Sequence, residues 1–301
     1  MTAGRTRPVA SLPDHDADAA PATAPAPLSV AETDAFIDRV LDAGARLYRD
    51  FPWRDTTDPY AVLLSEVMLQ QTQTVRVLKH YPRWLRRFPT IDAVAAAATA
   101  DVLDAWQGLG YNRRGLAFKR LADIVSDQYG GVLPDTSAEL QALPGVGPAT
   151  AAGVLAFAWD RHAPYLETNV RSVLLHELCP DRDAVPDREL RGLLDACCAR
   201  AAARAISART WNYALLDYGA HLKRTLPNPS RRSRHHTRQS PYQGSNRQKR
   251  ARLLAAVLAE PGATAAHYAQ VCQLDGEVTA AVLAELCAEG FLAEHAGRYS
   301  V

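Results

Sequence analysis

The stretch Leu143-Pro144-Gly145-Val146-Gly147-Pro148-Ala149-Thr150-Ala151 restricts the fold more than any other segment of this chain. A helix has to end before it, two glycines turn the backbone tightly, and a proline opens the next helix. Glycines leave backbone N–H groups bare at a helix N-terminus, where the helix dipole favours a phosphate oxygen. A helix-hairpin-helix of this kind holds a nucleic-acid backbone without reading its sequence. Gly145, Val146 and Gly147 are therefore candidate phosphate contacts. A plain helix-to-helix turn is the blander reading. Two glycines flanking Val146 directly after Leu-Pro suit the hairpin better.

The surroundings of this turn are helical throughout. Ser29 and Glu32 form a capping-box pattern, and Phe36, Val40, Leu41 and Leu47 follow at helical spacing. Helical patterns continue over 59–78, 81–88, 91–97, 99–106, 113–128, 136–142, 149–159, 169–178, 187–202 and 208–222, with Gly and Pro between them. No alternating β-branched run of strand length interrupts them, so the central region, 29–222, is read as all-α. Residues 1–28 are Ala, Pro and Asp with few large apolar side chains, and a disordered tail is expected there.

Charge is distributed unevenly. The whole chain has a formal charge of +1, yet residues 221–252 hold ten Lys or Arg and no Asp or Glu. A basic strip on an otherwise acidic body suggests a polyanion held at one place. Within it, 223–246 is polar, Pro-containing and aperiodic, which reads as an extended linker, with Arg231, Arg232, Arg234 and Arg238 as candidate phosphate contacts. His235-His236 have no Cys or carboxylate partners nearby and are read with the strip. Residues 247–301 show three helical patterns and a hairpin turning near Ala296-Gly297, a small winged helix-turn-helix. Beside a phosphate-binding hairpin, both strip and winged helix are read as nucleic-acid binding.

Other classes are excluded. No apolar run is long enough to span a membrane, and the N-terminus lacks the apolar core of a secretory signal. Five cysteines without framework spacing read as thiols in a reducing cytoplasm. Lysine is scarce: only Lys79, Lys119, Lys223 and Lys249 occur.

Two carboxylates stand out. Glu66 lies on an apolar helical stripe, with no Lys or Arg within four residues on either side. Desolvation there raises a carboxyl pKa and suits a general acid. Glu167, with Thr168 and Asn169, opens a helix; capping alone explains that segment, and its interest is as a second carboxylate. Glycosidic cleavage passes through an oxocarbenium-like state, which wants an acid at the leaving group and an anion beside the sugar.

Phe51-Pro52-Trp53-Arg54, Pro59-Tyr60, Leu64-Ser65-Glu66-Val67-Met68-Leu69-Gln70-Gln71-Thr72-Gln73, Gly108-Leu109-Gly110-Tyr111, the hairpin itself and Asp217-Tyr218-Gly219-Ala220 together resemble the MutY-type adenine DNA glycosylases. Those belong to the helix-hairpin-helix/Gly-Pro-Asp superfamily, which includes endonuclease III. The resemblance spans about residues 36–222. It implies an all-α fold of two subdomains with a base pocket between them. Glu66 would protonate the departing purine, Gln70, Gln71 and Tyr111 would lie near the minor groove, and Gly145, Val146 and Gly147 would touch phosphate.

The chain departs from that family at four places. The family's catalytic Asp is matched by Glu167 in Leu-Glu-Thr-Asn-Val, one methylene longer. Ala149 stands where endonuclease III carries its Schiff-base lysine, and no Lys occurs over 120–222, so no lysine-dependent lyase step is expected. Residues 199–271 contain no Cys, against the four that commonly hold a [4Fe–4S] cluster, so no cofactor is expected. The C-terminal residues 247–301 are too short for the Nudix-like domain that inspects 8-oxoguanine.

The expectation is therefore a cytoplasmic, nucleoid-associated monomer acting on double-stranded DNA. It would be a monofunctional N-glycosylase removing a mispaired purine, adenine opposite G or 8-oxoguanine, through Glu66, Glu167 and Asn169. The same fold acting on hypoxanthine, or on T or U opposite G, is the nearer alternative. A non-catalytic DNA-binding regulator is the more distant one, and the intact block around Glu66 argues against it.

Overall fold

The structure is a computed structural model and describes residues 28–234 and 241–301. The expected disordered tail, apart from Leu28, lies outside the described residues, as do His235, His236 and Arg238. The helices run α1 (Val30–Leu47), α2 (Pro59–Leu69), α3 (Thr74–Arg87), α4 (Ile91–Ala96), α5 (Thr99–Trp106), α6 (Arg113–Tyr129), α7 (Ser137–Ala142), α8 (Pro148–Trp159), α9 (Thr168–Glu177), α10 (Asp187–Ala203), α11 (Ala208–Thr225), α12 (Asn246–Ala259), α13 (Ala265–Cys272) and α14 (Gly276–Ala288). Short 3-10 turns lie at Pro52–Arg54 and Pro229–Arg232. No helix among the described residues is long and apolar enough to cross a membrane.

Two helical groups face each other. In one, α2 to α8 pack around Trp84, Trp106 and Phe118, whose rings meet edge-on or stacked. In the other, α1 and α9 to α11 pack together, with Phe36 edge-on to Trp211. The capping box of α1 forms as its sequence demands: Glu32 N–H donates to Ser29 Oγ at 3.2 Å and Ser29 N–H to Glu32 Oε2 at 2.8 Å. Gly44 lets α1 close on α11, since a Cβ there would stand 2.3 Å from the Ala214 Cβ. A single apolar core runs through both groups, and α2 and α8 are buried along most of their lengths between them. Their polar side chains Ser65, Glu66 and Thr150 are thereby placed in a low-dielectric setting.

The spacing over 59–78 reads as one helix, but the chain breaks it. Gln70 leaves the helix, and Gln71 adopts the left-handed region at φ 53°. The guanidinium of Arg114 collects the carbonyls that the break orphans: Val67 at 2.7 Å, Met68 at 2.9 Å and Gln70 at 2.6 Å. A tertiary donor thus replaces the next helical turn. In the opposite direction, α3 runs unbroken through Pro82, where two segments were expected.

Residues 223–234, expected within an extended linker, are held by the body. Lys223 to Thr225 complete α11, and the following 3-10 turn packs against α9. Arg232 donates to the carbonyls of Leu175 (2.6 Å), Cys179 (2.9 Å) and Pro180 (2.5 Å). Ser233 then bridges Val185, with Arg234 N–H on the Val185 carbonyl at 3.1 Å. Carbonyls at the end of α9 and in the turn after it, beyond the helical ladder, draw the arginine in.

The C-terminal part forms three helices, α12 to α14, and a sheet ordered β1-β3-β2, all antiparallel: β1 (Ala263–Thr264), β2 (Ala293–His295) and β3 (Arg298–Ser300). The hairpin β2–β3 turns at Ala296-Gly297, and β1 joins it as a third strand that sequence patterning did not show. This unit shares an apolar core with Leu103 of α5 and Leu116 of α6. Arg113 clasps Glu289 with two bonds of 2.7 and 2.6 Å, and Arg250 reaches the same carboxylate at 2.7 Å.

Candidate active site

Glu66 sits in the buried middle of α2 with 7% of its surface exposed. Gly153 of α8 makes the room: a Cβ there would stand 2.3 Å from Glu66 Oε2. The Tyr165 hydroxyl donates to that same oxygen at 2.8 Å. Burial pushes the Glu66 carboxyl up to about 8, the Tyr165 bond opposes this, and the charge of Glu167 adds to it. Glu66 therefore carries a proton near neutrality in a site dry enough to keep it. Tyr165 escaped the sequence reading, since its only local signal is a position two residues before Glu167.

Glu167 is the N-cap of α9. Its Oε1 accepts from the backbone N–H of Asn169 at 2.6 Å and of Val170 at 2.9 Å, and its Oε2 accepts from Asn169 Nδ2 at 3.3 Å. Burial raises this carboxyl, while the two N–H groups, Lys223 and Arg171 pull it down. Burial therefore raises both carboxyls, but Glu66 has only the Tyr165 hydroxyl against it, whereas Glu167 is countered by two N–H groups and two cations at a helix N-terminus. Environments that separate two carboxyl groups are what acid and anion roles require.

Asn169 is fixed from behind by Gly219 of α11, where a Cβ would stand 2.1 Å from the Asn169 carbonyl oxygen. One turn further along α11, Lys223 Nζ donates to Asn169 Oδ1 at 3.3 Å. The lysine-poor interval ends at residue 222, and the first lysine after it lands beside the candidate pair. Asp217, two residues before Gly219 on the same helix, receives Arg54 at 2.8 Å through both carboxylate oxygens and Arg49 at 2.6 Å. That buried pair locks the start of the α2 region to α11, with Arg54 stacked 4.2 Å above the Tyr213 ring.

The candidate DNA-facing residues form a second group. Gln70 Nε2 donates to Thr150 Oγ1 at 2.9 Å and to the Gly145 carbonyl at 3.3 Å, tying the broken end of α2 to the hairpin. Gly145 and Gly147 are exposed, whereas the Val146 side chain is buried and its N–H bonds the Leu143 carbonyl at 3.2 Å. Tyr111, like Gln71, holds a left-handed backbone, φ 49°. Two such non-glycine residues store strain on the order of 1–3 kcal/mol each. Arg114 braces both turns: besides the carbonyls near Gln70 it donates to Thr72 Oγ1 at 2.8 Å and the Gly110 carbonyl at 2.9 Å, and it faces the Tyr111 ring. Arg247 of α12 donates to the Tyr111 hydroxyl at 3.1 Å.

The basic strip divides. Arg231 and Arg234 are exposed, while Arg232 is engaged with backbone carbonyls as described above. The winged helix departs from a nucleic-acid reader: α13 and α14 contain no Lys or Arg, and residues 253–301 hold Glu260, Asp275, Glu277, Glu285, Glu289 and Glu294 against Arg298 alone. The cations of this module lie on α12 (Arg247, Lys249, Arg250 and Arg252), and its apolar core includes Leu103 of α5 and Leu116 of α6.

The cysteines do not suit an iron–sulfur cluster. Cys179, Cys197, Cys198 and Cys272 are buried in packed helices or turns, and burial raises every one of these thiols. No group of three or more His, Cys, Asp or Glu among the described residues is placed to hold a metal.

Comparison with known proteins agrees with this geometry. A family model described as HhH-GPD superfamily base excision DNA repair protein matches residues 64–214, an interval that holds Glu66, the hairpin and Glu167. The chain is 37% identical over 230 residues to the adenine DNA glycosylase of Mycobacterium tuberculosis (strain H37Rv), covering 69% of this chain and 74% of the relative. Against the adenine DNA glycosylase of Homo sapiens it is 38% identical over 154 residues, 48% of this chain and 28% of the relative. Among solved structures, a thermostable thymine-DNA glycosylase superposes with a TM-score of 0.56 at 25% identity, covering 63% of this chain and 87% of that one. An endonuclease III in a non-covalent DNA complex gives 0.51 at 20% identity, covering 71% and 91%, and attests the fold. By hairpin, paired carboxylates and similarity alike, this chain belongs to the HhH-GPD superfamily of base excision DNA repair proteins.

Proposed function

We propose that this protein is a monofunctional DNA N-glycosylase that hydrolyses the bond between deoxyribose and adenine at a mispair, adenine opposite G or 8-oxoguanine. The observation that carries the reading is Glu66: buried, without a cation, bonded by Tyr165 and pushed up to about 8. The hairpin glycines and the exposed arginines Arg231 and Arg234 hold the duplex by its phosphates, and the target nucleotide leaves the stack. Unstacking costs least at a mispair, which itself selects. Glu66 donates its proton to a ring nitrogen of the purine as the C1′–N bond breaks. Glu167, acting as the carboxylate that the N–H groups of Asn169 and Val170 favour against its burial, stabilises the oxocarbenium-like sugar, and Asn169 orients it or the attacking water. Water adds to C1′ and loses a proton, leaving adenine and an abasic site.

No lyase step is included, because Ala149 offers no amine and Lys223 is engaged with Asn169. No cluster is included either. The relatives' names support adenine as the base, and the broken α2 end beside Tyr111 supports a wedge in the duplex. The protein would act as a monomer in the cytoplasm, on the nucleoid.

A lesion panel tests this: duplexes with adenine opposite G or 8-oxoguanine, hypoxanthine opposite T, and T or U opposite G, assayed with and without alkali. Wild type should give alkali-labile strands on the adenine duplexes, and Glu66→Gln should lose about 10²–10⁴ in rate. The rate should fall as pH rises through about 8, where Glu66 loses its proton. Full activity of Glu66→Gln, or cleavage without alkali, would refute the mechanism; preference for another base would reassign the substrate.

A further inference from the structure

We propose that Lys223 is a positioning residue for the sugar-facing carboxylate, acting through Asn169 to hold the longer Glu167 side chain ionised and aimed. The proposal rests on the glycosylase reading above and deepens it.

The argument begins with register. On α11, Gly219 and Lys223 are four residues apart and so share one helical face. Gly219 brings that face into contact with the Asn169 backbone, and Lys223 Nζ meets Asn169 Oδ1 at 3.3 Å. Asn169 Nδ2 in turn donates to Glu167 Oε2 at 3.3 Å. The order Lys223, Asn169, Glu167 is a chain of donors ending on the carboxylate. An amide so gripped cannot flip, because its oxygen accepts from the ammonium and its nitrogen must then face Glu167.

A second reason is electrostatic. The groups that bear on Glu167 are Glu66 of α2, Tyr165 in the preceding segment, Arg171 of α9, Lys223 of α11 and the N–H groups of Asn169 and Val170. Arg171 is already paired with Asp187 at 2.7 Å, which offsets much of its charge. Lys223 is thus the cation whose charge is directed at the site. With burial raising Glu167, something must hold it as the anion while Glu66 keeps the proton, and the lysine biases the pair in that sense. A carboxylate one methylene longer than the family's Asp also has an additional torsion to restrain, which the Asn169 bond supplies.

The test uses the full chain with Lys223→Met and Lys223→Arg, an adenine:8-oxoguanine duplex, and single-turnover rates at saturating DNA across about pH 5 to 9. The Met variant should lose about ten- to a hundredfold in rate. Its acidic limb, where Glu167 takes up a proton, should move to higher pH, and DNA affinity should change little. The Arg variant should recover most of the rate and the wild-type limb. A wild-type rate and limb in Lys223→Met would overturn the proposal. So would a loss confined to affinity, which would make Lys223 a phosphate contact, or borohydride trapping of DNA on Lys223, which would make it a reacting group. Glu66→Gln, run alongside, separates the two readings: if it remains active the glycosylase mechanism itself has failed, whatever Lys223 does.

Discussion

The region around Glu66 and the C-terminal winged helix use polar residues in opposite ways. In the first, charged groups are drawn inward: Glu66, Asp217 and Arg54 are buried among apolar helices and Glu167 is half-buried at the start of α9, each held by a small number of directed bonds. In the second, acidic side chains lie on or near the surface, an apolar core does the holding, and the module is fastened to α5 and α6. The contrast separates topology from function. The C-terminal helices α13 and α14 carry no cation and dock through an apolar core, while the buried carboxyls lie in the region that we propose as the reaction centre. Buried charge is expensive, so where it persists with partners of stated geometry it invites a chemical explanation.

The largest expected effect breaks the first region. Asp217→Ala leaves Arg54 buried without its carboxylate and should destabilise the protein by about 3–5 kcal/mol, read as a fall in melting temperature with little change in the thermal behaviour of an isolated Glu289→Gln variant. A result near zero would show that the ion pair is dispensable and that packing alone sets the site. The next effect has the opposite sign. With its pKa raised in the fold, Glu66 binds a proton that the unfolded chain releases above about 4.5. Its contribution is therefore intact below that value and is lost progressively as pH rises to about 8. Glu66→Gln keeps an acceptor for Tyr165 without a titratable proton, so it should be more stable than wild type at pH 8.5, by on the order of a few kcal/mol, with the difference vanishing near pH 4. Equal pH–stability curves for the two proteins would mean Glu66 is not desolvated. The smallest effect sharpens the comparison at the surface. Arg231→Ala and Arg234→Ala should each reduce the slope of log affinity against log salt by about 1, whereas Glu277→Gln on α14 should leave that slope unchanged. A steeper slope from Glu277→Gln would return the winged helix to the DNA interface.

The helical register, the hairpin, the two carboxylates and the hairpin of the wing were legible in the amino-acid sequence because each is local. Apolar spacing, Gly and Pro punctuation, and the missing cation around Glu66 are written within a few residues of where they act. The break at Gln70–Gln73 was not legible, since the donor that ends α2 is Arg114, far along the chain, and the residues themselves continue a helical pattern. Lys223 was overlooked for a related reason: a lysine-free interval was counted by residue number, while α11 returns its last turns to the start of α9. The strip's net charge was correct as a sum but not as a surface, because Arg232 spends its guanidinium on carbonyls at the end of α9.

By itself, then, the sequence determined which elements form and which residue types are available for acid, anion and phosphate contact. Local spacing and side-chain chemistry suffice for that. Only the tertiary structure decided which of them are dry, which are paired and which meet. Burial and long-range hydrogen bonds are properties of packed helices, and they are what raise the Glu66 carboxyl, make Tyr165 its donor and bring Lys223 to Asn169 beside Glu167.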